Sequence, residues 1–366
     1  MNWLGDAVMT TPALERLREA HPRAHIALLT PAKLADLWRH HPDIDQALTF
    51  EPDESVLSVA RHLRPLDFDT ALILPNSPRS ALEAFLARIP RRLGHARPWR
   101  NWLLTERVQP RAAETAMRKR TPAEVQRLIS GGELRKPSPA PSPQAHHIHQ
   151  YLHLAAALGA NSEAVAPRLA VTDAEINAIS ARFGFQPSGT VSRPRLLGIN
   201  AGAEYGPAKR WPRERFIEAA ARVQSETGCH VWIFGGPSEV EFARAISAAF
   251  ASAPDAPPGS VHCLAGQTSL RELCAALAAC DALLTNDSGP MHVAAAVGTP
   301  VVVPFGSTSP VLTAPGLPGD ARHQLLRTGV ACSPCFLREC PIDFRCMTGI
   351  SVERMATAAV KALALK

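Results

Sequence analysis

No stretch of this sequence is long and apolar enough to cross a membrane. The longest such run, Val293 to Val303, is interrupted by Pro300 and falls well short of the roughly 18 residues a spanning helix needs. Met1 is followed by Asn2, Trp3, Leu4, Gly5 and Asp6, with neither the basic n-region nor the apolar h-region of a secretory signal. The expectation is a cytoplasmic protein. The sequence also lacks any repeat at a fixed period, so the solenoid and propeller classes drop out. Eight cysteines are present, but in a cytoplasmic chain of this size they are not read as a disulfide framework.

What is there is a chain of 366 residues, 46% hydrophobic and 20% charged, an ordinary globular composition too long for one core and suited to two domains. The net charge of +6 favours an anionic partner: nucleic acid, acidic lipid or a phosphorylated substrate. Short apolar runs predict strands at His25–Thr30, Asp69–Leu74, Leu196–Asn200, His230–Phe234, Ala282–Thr285 and Pro300–Pro304. Helical periodicity separates them, at Ala13, Leu14, Leu17 and Ala20 (behind Pro12) and at Val56, Val59, Ala60 and Leu63. Further helices are predicted at His149–Leu158, Arg213–Thr227, Glu239–Ala249, Leu270–Ala279, Met291–Val297 and Val352–Leu365. This alternation argues for α/β domains with parallel sheets covered on both faces. Lys136–Gln144, with its four prolines, reads as an exposed linker, and Gln186–Pro194 as a second loose region. The domains are placed at 1–165 and 190–350, with a C-terminal helix over 351–366.

Four strand-to-helix junctions carry residues suited to chemistry. Asn286-Asp287-Ser288-Gly289-Pro290-Met291-His292 follows one apolar strand. Ser288 or Gly289 suits an N-cap and Pro290 the first helical position. The free N–H groups and dipole of such an end attract phosphate, and Gly289 admits a ligand close to the backbone. His292 is expected on the first turn, facing the same mouth. The plainer account is a well-capped helix. Asn200 to Pro212 carries Gly202 and Gly206, then Lys209 and Arg210 just before a helix, a point charge and a bidentate fork able to neutralise a diphosphate; otherwise it is a solvated loop. In Phe234-Gly235-Gly236-Pro237-Ser238-Glu239, Glu239 is a candidate to hydrogen-bond ribose or base, or a capping acid. In Trp3-Leu4-Gly5-Asp6, Asp6 is either an N-cap or a general base at a cleft.

Two clusters stand apart from these junctions. Arg88, Arg91, Arg92, Arg97 and Arg100 are interleaved with Trp99 and Trp102, a pattern that fits nucleic acid, a phosphorylated glycolipid, an anionic leaflet or simply a solvated face. Cys332, Cys335, Cys340 and Cys346 are spaced for zinc, for redox-formed disulfides or for free thiols; a zinc held by all four would be structural, with no open position for substrate.

The segments Asn2–Leu14 (NWLGDAVMTTPAL), Gly202–Pro212 (GAEYGPAKRWP) and Thr285–Pro310 (TNDSGPMHVAAAVGTPVVVPFGSTSP), in this order, resemble the signatures of family 9 glycosyltransferases. The cysteine segment resembles that of many members. The resemblance implies a GT-B fold: two doubly wound Rossmann-like domains facing a cleft, the N-terminal one for the acceptor and the C-terminal one for a nucleotide sugar. It implies an ADP-heptose donor, and as acceptor a phosphorylated Kdo-lipid A glycolipid already carrying one heptose, reached by peripheral contact with the cytoplasmic face of the inner membrane. It implies inverting transfer with no catalytic metal and no cofactor. By residue, Asp6 takes the place of the family's general base and Lys209 that of its lysine at the donor phosphates. Asp287, Ser288, Gly289 and His292 match its donor-binding loop, and Glu239 an acid near the ribose. An inverting transfer needs no carboxylate nucleophile, and no obvious carboxylate pair is present.

Family members run through an apolar strand into the turn that ends at Asp6, whereas this sequence starts at the turn. The expectation is an N-terminal domain lacking its first strand, an Asp6 held less firmly, and low transfer activity from a shortened chain. Competing readings are a family 9 transferase with another nucleotide sugar and an inactive nucleotide-sugar-binding protein. A nucleic-acid-binding protein ranks last, because the phosphate-seeking loops lie away from the arginines.

Overall fold

The computed structural model describes residues 1–112, 114–115, 117–133, 142–185, 193–251 and 259–366. The expected linker Lys136–Gln144 lies outside the described residues as far as 141, and the loose region Gln186–Pro194 as far as 192. The chain divides into two compact units, Met1–Thr115 with Ser142–Ala170, and Ala116–Pro141 with Val171–Lys366.

The first unit holds α1 (Leu4–Met9), α2 (Thr11–Ala20), β1 (Ala27–Pro31), β2 (Gln46–Phe50), α3 (Val56–Leu63), β3 (Thr70–Ile73), α4 (Pro78–Leu86), β4 (Arg91–His95) and β5 (Glu106–Val108). Helix α5 (Pro122–Ile129) is counted with the second unit, and α6 (Ile148–Ala156) returns to the first. The second unit continues with α7 (Asp173–Arg182), β6 (Leu196–Asn200), α8 (Arg213–Thr227), β7 (His230–Ile233), α9 (Val240–Ala251) and β8 (Val261–Cys263). Then come α10 (Leu270–Ala279), β9 (Ala282–Thr285), α11 (Gly289–Ala296), β10 (Val301–Pro304), α12 (Pro310–Thr313), β11 (Gln324–Leu326), α13 (Arg345–Thr348) and α14 (Val352–Leu363).

In the first unit every ladder is parallel, but the strands form two sheets, β1-β2 and β3-β4-β5. Among the described residues no strand precedes α1 and no ladder joins the two sheets. They share one core, in which Leu29 and Leu48 pack with Val59 and Leu63 of α3, Ile73 of β3, and Ala81 and Ala84 of α4. Helix α2 starts with Pro12 in its first turn and buries Ala13, Leu14 and Leu17.

The second unit is a single six-stranded parallel sheet in the order β8-β7-β6-β9-β10-β11. Strands β6, β9 and β10 are buried at every position, as a parallel sheet covered on both faces requires. Leu197 and Ile199 of β6 and Leu284 of β9 turn toward one face, where Phe216 and Val223 of α8 meet Met355 and Ala359 of α14. On the alternate positions Trp232 of β7 meets Phe183 and Phe185 edge to face. Helix starts are set locally. Thr121 with Glu124, Thr172 with Glu175 and Ser269 with Glu272 each form a reciprocal capping box, and each such cap contributes about 1 kcal/mol.

The arginine-rich segment is the main correction to the sequence expectation. It is not a free basic face, because Arg91 and Arg92 lie in β4, the middle strand of its sheet. Arg91 pairs with Glu106 across the ladder, Arg92 Nε donates to the Leu103 carbonyl, and Arg97 pairs with Glu114. Arg100 is fully buried, donating to the carbonyls of His95 and Pro75 and to Asn76 Oδ1; burial drives its guanidinium down to about 10.

Candidate nucleotide-sugar site

The sheet order of the second unit fixes where a ligand can sit. From β6 the chain winds outward through β7 to β8; from β9 it winds the other way through β10 to β11. The winding reverses between β6 and β9, and ligands of doubly wound sheets bind at that switch point, beyond the strand carboxyl ends. The loops leaving β6 and β9 are Ala201–Pro212 and Asn286–Ser288, two of the motifs singled out by sequence.

Asn286 joins these loops. Its Oδ1 accepts the backbone N–H of Trp211 at 2.9 Å and its Nδ2 donates to the Ala201 carbonyl at 2.7 Å. Asn200, the last residue of β6, donates to Thr285 Oγ1 at 3.4 Å and to Ser288 Oγ at 3.3 Å. Lys209 Nζ lies 2.7 Å from Asp287 Oδ2 and donates to the Asp287 carbonyl at 3.3 Å. Thr308, beyond β10, donates to the same Asp287 Oδ2 at 2.5 Å. Ser288 is the N-cap of α11 in extended conformation, makes no side-chain cap, and is followed by Gly289 and Pro290. That helix start leaves backbone N–H groups beside the Lys209–Asp287 pair, an arrangement suited to a phosphate.

The remaining predicted residues fall differently. His292 is the fourth residue of α11 and only 6% exposed. Glu239 ends a 3-10 turn that precedes α9, and its Oε2 accepts the Gly236 N–H at 3.0 Å, so it caps its own turn. It also reaches the β6 loop: a Cβ on Gly202 would stand 1.8 Å from Glu239 Oε1. Asp6 lies in the first turn of α1 in the first unit. The phenol of buried Tyr151 is raised well above its ordinary value, chiefly by burial and then by the Asp6 carboxylate.

The sequence reading gave no role to Thr308 or Tyr205, and it weighed the cysteine segment as a thiol or zinc cluster, without its contact to the β6 loop. Tyr205 donates its hydroxyl to the Phe336 carbonyl at 2.8 Å, Ala208 N–H donates to the Arg338 carbonyl at 2.9 Å, and Phe336 N–H donates to the Ser307 carbonyl at 2.7 Å. The cysteine segment therefore braces the loop leaving β6 and the loop after β10. Its thiols are free; burial first, then neighbouring thiols, pushes Cys346 up to about 12 and raises Cys332 and Cys335. Among the described residues no group of three or more His, Cys, Asp or Glu is placed to hold a metal ion. Segment 332–346 lies more than 120 positions from Tyr205, and spacing alone carries no signal of that contact.

A doubly wound sheet with a lysine and an uncapped helix start at its switch point is an arrangement suited to a phosphate-bearing ligand. The model of "Glycosyltransferase family 9 (heptosyltransferase)" matches residues 129–344, and the chain belongs to this family. It is 32% identical over 335 residues to lipopolysaccharide heptosyltransferase 2 of Salmonella typhimurium, covering 90% of this chain and 87% of the relative. Among solved structures it is similar to the E. coli ADP-heptose lps heptosyltransferase II, with a TM-score of 0.75, 27% identity, and 100% of this chain and 97% of that one covered. A family 9 glycosyl transferase from Veillonella parvula shares the fold at a TM-score of 0.75 and 22% identity, over 99% of this chain and 95% of that one. The two-unit α/β architecture is the GT-B fold, and the protein is a glycosyltransferase. Among the described residues no helix is long and apolar enough to cross a membrane.

Proposed function

We propose that this chain transfers heptose, with inversion, from ADP-heptose to a phosphorylated, heptosylated Kdo-lipid A acceptor in the lipopolysaccharide inner core. One structural observation carries the reading: the Lys209–Asp287 pair beside the start of α11, at the switch point of the second unit. The family and the heptosyltransferase activity for which the two relatives above are named support the choice of sugar.

In this reading the second unit holds the donor. Lys209 and the N–H groups at Ser288 and Gly289 take the diphosphate, and their charge stabilises departing ADP. Asp287 aims Lys209, His292 fixes the first turns of α11, and Glu239 shapes the ribose side through Gly202. The first unit holds the acceptor, where Asp6 accepts the proton of the attacking hydroxyl. The chemistry asks for no metal, because charge on the leaving group is met by protein donors.

The acceptor is a lipid, and the first unit exposes aromatic surface that suits a bilayer. Trp102 is 65% and Trp99 55% exposed, Phe85 meets Trp102 edge to face, and Arg92 lies 5.4 Å over the Phe85 ring. Exposed aromatic rings favour the headgroup region of a membrane, and we assign the protein to the cytoplasmic face of the inner membrane. Nucleic acid is the poorer partner, since Arg91, Arg97 and Arg100 are already committed within the fold.

Turnover with ADP-heptose and isolated inner-core acceptor tests the activity, alongside calorimetry against a panel of ADP-, UDP- and GDP-sugars. Tighter binding and transfer of a different nucleotide sugar would move the assignment to another family 9 reaction; donor binding with no transfer to any acceptor would leave only a binding protein.

A further inference from the structure

Arg338 is a cation at the donor loops that no group among the described residues neutralises. Its guanidinium lies 5.2 Å from the centre of the Tyr205 ring, and Lys209 Nζ lies 5.0 Å from the same centre. The other cations of this region are engaged. Lys209 is paired with Asp287 at 2.7 Å, and Arg210 donates to the Ala203 carbonyl at 3.0 and 3.2 Å. Arg338 is exposed, and its guanidinium lies over the Tyr205 ring.

Its position is nonetheless fixed. The Arg338 carbonyl accepts the Ala208 N–H, and Phe336, two residues earlier, accepts the Tyr205 hydroxyl. Gly206 sits at φ +151°, and a Cβ there would come within 2.6 Å of the Arg338 carbonyl oxygen. The two backbones are thus in contact, and stacking on Tyr205 orients the guanidinium at low entropic cost.

A nucleoside-diphosphate sugar carries a negative charge on each phosphate. When the bond between the sugar carbon and the diphosphate oxygen breaks, its electron pair stays on that oxygen and the terminal phosphate gains charge. Asp287 already balances much of the charge on Lys209, so a second cation is needed where that charge develops. We propose that Arg338, delivered by the cysteine segment, binds the sugar-bearing phosphate of the donor and the leaving diphosphate. This rests on the donor-site reading given above and adds the residue that distinguishes a diphosphate from a monophosphate.

The test is calorimetric titration of wild type, R338A and R338K with ADP and with AMP. Loss of one charge-assisted contact weakens binding about 10- to 100-fold. R338A is therefore expected to lose that factor for ADP while AMP affinity barely changes, and R338K to fall between. Donor KM should rise in R338A with the melting temperature held. Equal loss for ADP and AMP, with a lowered melting temperature, would make Arg338 a brace and overturn the assignment, as would an R338A that binds ADP like wild type. If R338A does not fold, R338K and R338Q carry the same comparison. Failure of wild type to bind either nucleotide overturns the donor reading and this assignment together.

Discussion

Lys209 and Asp287, 78 positions apart in sequence, form an ion pair of 2.7 Å whose aspartate oxygen also receives the Thr308 hydroxyl. Asp287 is nearly buried, with its side chain 4% exposed, against 15% for Lys209. Lys209→Ala is expected to act twice. On the donor-site reading it removes a phosphate ligand, weakening ADP binding about 10- to 100-fold, and it strands a buried carboxylate, lowering stability by roughly 3–5 kcal/mol. The double variant K209A/D287N separates the two effects: urea unfolding should recover toward wild type while ADP affinity stays low. Recovery of both would remove the lysine from the site.

Asn286 ties the loops leaving β6 and β9 together. Asn286→Ala leaves the Trp211 N–H and the Ala201 carbonyl buried without partners, each costing about 1–3 kcal/mol. The expected outcome is a drop in the urea midpoint together with weaker ADP binding. An unchanged midpoint would mean that water fills the gap and that the loops stand independently.

Gly206 makes the close approach to the cysteine segment. Gly206→Ala places a methyl group 2.6 Å from the Arg338 carbonyl oxygen at φ +151°, and the strain of such a backbone costs on the order of 1–3 kcal/mol. Cys332 and Cys335 pack with Val125 and Ile129 of α5, so displacing their segment should speed labelling of those thiols by a maleimide in native buffer. Wild-type labelling rates in G206A would show that the contact is dispensable.

The acid range reports on α7. The Arg271 guanidinium, bonded to both Glu175 oxygens at 2.6 Å, holds the Glu175 carboxyl down at about 2, helped by the Thr172 cap. An unfolded glutamate titrates near 4.3. Above that value both states are ionised and the contribution is complete. As pH falls from about 4.5 toward 2 the unfolded chain takes up a proton that the native state refuses, so stability is lost over that window. Glu175→Gln should lower the urea midpoint at pH 7 and flatten its decline between pH 5 and 3. A parallel decline in both proteins would mean that other carboxylates govern the acid limb.

The sequence carried the second unit further than the first. Leu196–Asn200 and Ala282–Thr285 stand where their apolar runs place them, because a strand buried on both faces is mostly apolar. Strand β4 was illegible for the opposite reason: Arg91 and Arg92 lay long stems along the sheet and send their heads to Glu106 and to backbone carbonyls, so a middle strand looks like a charged patch. Arg100, buried among carbonyls, gives no local sign of its burial. In the site, the Gly-Pro helix start and the lysine before a helix have local signatures. Thr308, Tyr205 and Arg338 do not, since their roles arise from contacts between loops 21 to 131 positions apart.

The bridge through Asn286 bears on how this enzyme's donor choice can be altered. The loops leaving β6 and β9 are separate in sequence, which invites exchanging one of them with a relative that uses another sugar. Yet Asn286 belongs to the β9 loop and its amide bonds the backbone of the β6 loop at Ala201 and Trp211, so a lone graft would swap a partner without its counterpart. Chimeras that exchange residues 200–212 and 285–292 as a matched pair should fold, whereas single grafts should express poorly. The inheritable unit of specificity in this chain is thus a discontinuous one.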